Sequence, residues 1–128
     1  MIIKRYDDAC YPDFLDLVLS EGEEWEEYSV TKKEDYRKAL LDSIVYVAYE
    51  GPLCIGYIRA REDGSFGLYV YDLLVRKAYR GNSYGKKLFD HVCALYPDQT
   101  IYVMSDVDPY YESIGYIKIG SIFEVKKP

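Results

Sequence analysis

"LLVRKAYRGNSYGKKLF", running from Leu73 to Phe89, is the stretch on which the fold turns. Its first three residues, Leu73, Leu74 and Val75, are consecutive and apolar, which suits a strand buried on both faces at the centre of a sheet. A glycine-bearing loop follows. A helical run then begins near Ser83, with Leu88, Phe89, Val92 and Leu95 on one face and Pro97 just past its end. The segment from Arg76 to Lys87 holds five of the chain's 16 basic residues and none of its 22 acidic ones, although the formal net charge is −6. Strand, loop and helix in this order, with this charge, read as an anion site. A helix N-terminus presents unpaired N–H groups at the positive end of its dipole, and Gly81 and Gly85 let the backbone approach an anion closely. Two other phosphate-binding patterns are excluded. GxxxxGK[ST] needs one more residue between the glycines and a hydroxyl after the lysine, and GxGxxG after a first strand is absent.

Working upstream, "IVYVAYEG", "LCIGYIRARED" and "FGLYVYDLLVRK" are three β-rich runs with Gly51-Pro52 and Asp63-Gly64 between them. They predict an antiparallel meander with tight turns. "MIIKRY" reads as a first strand, and "YPDFLDLVLSEG" as a helix with Pro12 in its first turn and a stop at Gly22. "TKKEDYRKALLDS" reads as a second helix, with Thr31 as N-cap and Glu34 completing a capping box. Downstream, "TIYVMS" is a strand, "DPYYESIGY" a short helix ended by Gly115, and "IKIGSIFEVKK" a final strand. The order β-α-α-β-β-β-α-β-α-β describes an α/β domain with a mixed sheet. No repeat, linker or composition shift divides it, so residues 1–128 are expected to form one domain.

The composition narrows the function. An acidic balance argues against nucleic acid as a partner, because phosphate contacts dominate that affinity. No apolar run reaches the length of a membrane span, and the N-terminus lacks a signal-peptide pattern. Cys10, Cys54 and Cys93 are odd in number and far apart, which suggests reduced thiols in a cytoplasmic protein, with neither a disulfide framework nor a zinc site. His91 has no second ligand nearby in sequence, so no metal is expected. The 16 tyrosines combine apolar area with a hydroxyl that needs a partner, and are expected at core edges and around a cleft.

The stretch Leu73–Phe89 resembles the acyl-CoA-binding motif [RQ]xxGx[GA] of the GNAT superfamily of N-acetyltransferases. Arg80, Ser83 and Gly85 occupy its defining positions, with Ser83 in place of the usual middle glycine. The resemblance extends to the order of elements over nearly the whole chain, and implies a GNAT-like mixed, mostly antiparallel central sheet flanked by helices. It further implies acetyl-CoA as co-substrate, with its pyrophosphate on the loop of Arg80, Gly81, Asn82, Ser83, Tyr84, Gly85 and Lys86, and its pantetheine arm along Leu74, Val75 and Arg76. "DPYYESIGY" is similar to a second family segment, which makes Tyr111 the expected proton donor to the departing thiolate; Ser105 stands where relatives often carry Asn. Asp72 matches the place of an acidic base in many relatives, although a solvent-facing strand position is equally open to it. "EGEEWEEY" (residues 21–28) lies where similar enzymes build an acceptor wall. Its five Glu and two aromatics would favour a cationic amine, and a solvated acidic turn is the plainer alternative.

The expected function is therefore transfer of acetyl from acetyl-CoA to a small-molecule primary amine by direct attack, without a metal, in a monomer or homodimer. The alternative is a non-catalytic acyl-CoA-binding or protein-interaction module.

Overall fold

Residues 1–128 are described by a computed structural model. A single sheet contains β1 (Ile2–Arg5), β2 (Ile44–Glu50), β3 (Leu53–Glu62), β4 (Leu68–Val75) and β5 (Ile101–Val103), side by side in that order. The first three pairings are antiparallel and the last, β4 with β5, is parallel. The meander read from the sequence is present, and Gly51 (φ 56°) and Gly64 (φ 52°) supply the left-handed turn conformations that join its strands.

Helices cover both faces. α1 (Tyr11–Leu19) starts with proline in its first turn and buries Tyr11, Phe14, Leu17 and Val18. α2 (Lys33–Leu41) buries Tyr36 and Leu40 on the same side of the sheet. The resulting core is unusually rich in phenols: Tyr6, Tyr11, Tyr36, Tyr49 and Tyr57 surround or adjoin Phe14, whose ring lies edge-on to Tyr57 at 4.8 Å. Phe14 is 1% exposed, so truncation to Ala should cost about 3–5 kcal/mol. On the opposite face, α3 (Tyr84–Leu95) lays Leu88, Phe89 and Val92 onto Ile55, Ile58 and Val70. Leu95, expected on that apolar face, is exposed instead. α4 (Asp108–Ser113) is one short helix that stops before Gly115 (φ 88°), as its sequence suggests.

Two expectations are corrected. Thr31 does not cap α2. It ends a π-type turn, Glu27–Thr31, and Lys32 leads into the helix without a side-chain cap. The turn carries Thr31 in helical geometry, so its hydroxyl is not placed to meet the first N–H groups of α2. The predicted last strand, residues 117–127, is not formed either. These residues have no regular structure, and Ile117, Ile119, Phe123 and Val125 are exposed.

One irregularity in β4 decides the position of the site. Arg59 pairs with Asp72 and Ala60 with Val70, which leaves Tyr71 as an extra residue, a β-bulge. Before it, Leu68 and Val70 face α3. After it, Leu74 joins the core under α1, and the Asp72 carboxylate meets Tyr36 of α2. The bulge has inverted the alternation, and for this reason sequence periodicity could not fix the face of Asp72.

Candidate active site

The bulge also ends the pairing of β4 with β5. The ladder covers Leu68–Val70 against Ile101–Val103, and its last bond runs from the Met104 N–H to the Val70 carbonyl at 3.0 Å. Beyond that point β4 continues to Val75 paired only with β3, and on its other side a cleft of about 560 Å³ opens between the diverging chains. Asp72 and Leu73 line one wall, Met104, Ser105 and Asp106 the other, with Tyr111 between them. The segment before α2 contributes Glu24, Trp25 and Tyr28. Asp72 and Tyr111, assigned from separate motifs, therefore meet in one cavity.

The anion loop stands at the end of β4, where a short turn, Lys77–Tyr79, leads to Arg80. Gly81 has φ 82°, and Ser83 has φ 63°, the only positive value at a non-glycine residue in the chain. A side chain in this conformation costs about 1–2 kcal/mol, which explains why a glycine is usual at this position of the motif. The result is a backbone turn that delivers the free N–H groups of the first turn of α3 to one side. Gly85 is required by space, because a Cβ there would stand 2.5 Å from the Tyr110 hydroxyl and 3.3 Å from Leu73 Cδ2.

The basic side chains are mostly not waiting for a ligand. Arg76 donates to the Asp16 carboxylate at 2.9 Å and to the Cys54 carbonyl at 2.9 and 3.1 Å. Arg80 donates through Nε to the Val75 carbonyl at 2.9 Å and through its terminal nitrogen to Glu21. Lys86 pairs with Asp90 one turn along α3, and Lys87 lies 5.1 Å from the centre of the Tyr84 ring. The Asn82 amide reaches back to the Tyr79 and Arg80 carbonyls. Of the expected loop contacts, the backbone of Gly81–Lys86 is suited to an anion as it stands, whereas the arginines are committed to the protein.

Asp72 sits in a buried polar chain. Its Oδ2 accepts from the Tyr36 hydroxyl and from Arg59 Nε, both at 2.6 Å, which leaves Oδ1 for the cleft. Tyr36 also meets the Tyr57 hydroxyl at 2.8 Å. Because the Tyr36 proton is directed at the carboxylate, Tyr57 must be the donor in that second bond. Burial, and next the Asp72 charge, push the Tyr36 phenol far above its ordinary range; burial does the same to Tyr57. Arg59 and Tyr36 lie within β3 and α2, and neither was singled out from the sequence. The signal for Arg59 was a charged residue amid the apolar run of β3, and that for Tyr36 an aromatic four residues before Leu40 on the buried face of α2.

Tyr111 is half-buried, edge-on to Phe89 and stacked on Tyr116. Burial, then neighbouring Tyr110 and Asp106, raise its pKa to about 12, so the phenol keeps its proton at neutral pH. Tyr110, which the sequence suggested only as packing, directs its hydroxyl between Gly85 and Leu73, beside the open edge of β4. Ser105 uses its hydroxyl locally, accepting from the Val107 N–H at 3.1 Å.

In the acidic segment the five carboxylates separate. Glu24 lines the cleft with Trp25 and Tyr28, Glu27 pairs with Lys32, and Glu21 is buried against Arg80. The expectation of five Glu acting together on a cationic ligand is corrected: Glu21 is withdrawn into the protein. Trp25 and Tyr28 pack on each other at 5.3 Å, so the wall is fixed by aromatic contacts. No three His, Cys, Asp or Glu side chains gather at metal-ligand geometry, and no helix is long and apolar enough to cross a membrane.

Comparison with known proteins places this fold. The family model "Acetyltransferase (GNAT) domain" matches residues 9–127. No curated protein matches by sequence. Among solved structures, the GNAT family acetyltransferase SP0256 of Streptococcus pneumoniae shares 22% identity, with 98% of each chain covered and a TM-score of 0.74. An aminoglycoside antibiotic 6'-N-acetyltransferase of Acinetobacter haemolyticus shares 14% identity, with 100% of this chain and 99% of that one covered and a TM-score of 0.75. An aminoglycoside 6'-N-acetyltransferase complexed with coenzyme A shares 20% identity over 89% of this chain and 72% of that one, at a TM-score of 0.65. At these identities the likeness is one of fold.

Proposed function

The chain belongs to the GNAT acetyltransferase family, and from that premise we propose that it moves an acetyl group from acetyl-CoA to a primary amine of a small, cationic acceptor by direct attack. The observation that carries this reading is the convergence of Asp72, Tyr111 and the Glu24–Trp25–Tyr28 wall on one cleft, whose β4 side leads to the anion loop.

The loop fits a pyrophosphate: positive φ at Gly81 and Ser83 turns the backbone just ahead of α3, whose first N–H groups have no partner within the helix, and Gly85 is bare where a side chain would fill the space. The β5 side of β4 beyond Val70 is open to an extended amide-bearing arm along Leu74–Arg76, although the Val75 carbonyl is already taken by Arg80 and the Arg76 N–H by the Ile55 carbonyl of β3. Bound acetyl-CoA supplies an activated thioester. The protein's own part is positioning and proton transfer. Glu24 draws an ammonium group toward the wall, and Trp25 and Tyr28 offer their ring faces to it. Asp72 offers Oδ1 to that nitrogen and takes its proton, directly or through one water, while Arg59 and Tyr36 keep the carboxylate fixed. Tyr111 holds a proton on Oη for the departing sulfur. Attack by the amine itself requires no acyl-enzyme, and the two buried cysteines, Cys10 and Cys54, are not among the residues lining the cleft.

The test is release of coenzyme A thiol from acetyl-CoA across a panel of amines that includes polyamines, lysine-like amines and aminoglycosides. The expected result is turnover with cationic amines, with KM for the amine rising a few-fold in Glu24→Gln. Binding of acetyl-CoA without turnover on any amine would return the chain to the non-catalytic alternative.

A further inference from the structure

Glu21 occupies a poor place for a carboxylate. Its side chain is 2% exposed, and its Oε2 has no hydrogen-bond partner. Its N–H bonds the Val18 carbonyl at 3.1 Å, so the residue closes the last turn of α1, at the negative end of the helix dipole. The one group that compensates for all of this is the guanidinium of Arg80, 59 residues later in the chain. Arg80 in turn anchors through Nε on the Val75 carbonyl, the last residue of β4. Arg76 repeats the pattern one turn earlier on the helix, joining Asp16 of α1 to the Cys54 carbonyl.

We propose that Glu21 is a positioning residue for acyl-CoA binding: it holds the half-exposed Arg80 side chain against the end of α1, so that Arg80 acts as a strut between α1 and the anion loop and not as a ligand of the pyrophosphate. This inference rests on the acyl-CoA reading above. If Arg80 turned outward to a phosphate, a buried carboxylate would lose its sole partner, and leaving one charge of such a pair uncompensated is strongly unfavourable. An exposed, screened phosphate returns less than that loss. The anion is therefore left to the amides of Gly81–Lys86. The residue after Glu21 is Gly22, whose φ of 75° turns the chain into the Glu24–Trp25–Tyr28 wall. One ion pair thus ties the acceptor wall and the anion loop into a single body.

The two roles of Arg80 predict opposite outcomes for Glu21→Gln. As a strut, Glu21→Gln and Arg80→Gln should each weaken acetyl-CoA binding about tenfold in calorimetry, and the double variant should be no worse than either, within about twofold. In turnover, KM for acetyl-CoA should rise by the same factor while kcat at saturation holds, a split that simple loss of stability would not produce. A Glu21→Gln protein that binds acetyl-CoA as tightly as the unaltered one, or more tightly, with Arg80→Gln weaker, would overturn the strut and make Arg80 a ligand. Glu21→Asp, which keeps the charge but withdraws it by one methylene, gives a second route: weakening supports the strut, and undiminished affinity overturns it. If the unaltered protein binds no acetyl-CoA, the functional reading fails, and hydrogen exchange still decides this inference. Faster exchange at both Gly81–Lys86 and Gly22–Trp25 in Glu21→Gln supports it, and unchanged exchange at either segment overturns it.

Discussion

Replacing Tyr36 by Phe removes one oxygen from the middle of the buried chain and should be felt at both ends. At one end, the Asp72 carboxylate loses a donor at 2.6 Å and keeps only Arg59 on Oδ2. A hydrogen bond to a charged group contributes about 1.5–3 kcal/mol. At the other end, the fully buried Tyr57 hydroxyl loses its acceptor, and an orphaned buried donor costs about 1–3 kcal/mol. After some relaxation, a loss of about 3 kcal/mol is expected. For a chain of 128 residues the unfolding entropy near the midpoint is about 0.27 kcal/mol/K, so Tm should fall by about 11 °C. Tyr57→Phe is the control. It removes only the donor at the far end and leaves the bond to Asp72 intact, so about 1 kcal/mol and about 4 °C are expected. Thermal melts followed by circular dichroism measure both. A Tyr36→Phe protein within about 1 kcal/mol of the unaltered one, or a Tyr57→Phe protein equally damaged, would show that the network is not arranged as described.

Three further outcomes follow from the site. Tyr111→Phe should lower kcat by about tenfold or more while the acetyl-CoA Kd stays nearly constant; equal rates, with chemistry shown to be limiting, would leave Tyr111 as packing. Because its pKa lies near 12, kcat should show no downward limb from this group below about pH 11, and a rate that falls with an apparent pKa near 9 would assign the proton elsewhere. Gly85→Ala should destabilise the protein and weaken acetyl-CoA binding, since the new methyl meets the Tyr110 hydroxyl; adding Tyr110→Phe should recover part of the stability, and no recovery would mean that Leu73 sets the limit. The phenols of Tyr6, Tyr36, Tyr49 and Tyr57 are all raised, chiefly by burial, so the folded state holds their protons more tightly than the unfolded state does. Stability from this source is complete below about pH 10 and is lost as pH rises above it, which urea titrations across that range should detect as a falling midpoint.

The meander and the anion loop were legible because both are written locally. Turn glycines mark the hairpins, and three apolar residues followed by a glycine loop and a helix mark the end of a central strand. Charge was legible as a count but not as a contact. The partners of Arg76 and Arg80 lie 60 and 59 residues away, in α1 and just past its end, and no local pattern connects them. The same holds for Asp72, whose two donors come from different elements. Thr31 and Glu34 have the spacing of a capping box, but the π-type turn Glu27–Thr31 already carries the chain in helical geometry where a cap needs an extended residue. Residues 117–127 have the composition of a strand, yet composition alone cannot supply a neighbour for it to pair with.

The bulge at Tyr71 sets which kinds of genetic change β4 can accept. A regular strand behaves like a two-letter phase, odd residues to one side and even to the other, and Tyr71 is a single inserted beat that shifts the phase midway. Substitutions along Leu68–Val75 change one side chain at a time and leave the phase alone. Deleting Tyr71 would restore the plain rhythm without turning Asp72 or Leu73 over, because Asp72 already stands opposite Arg59, next to the Ala60–Val70 pair. Deleting a paired residue such as Leu73 would instead turn over the side chains beyond it, Leu74 and Val75. Away from Tyr71, this strand should therefore tolerate drift in what it says far better than a change in its length.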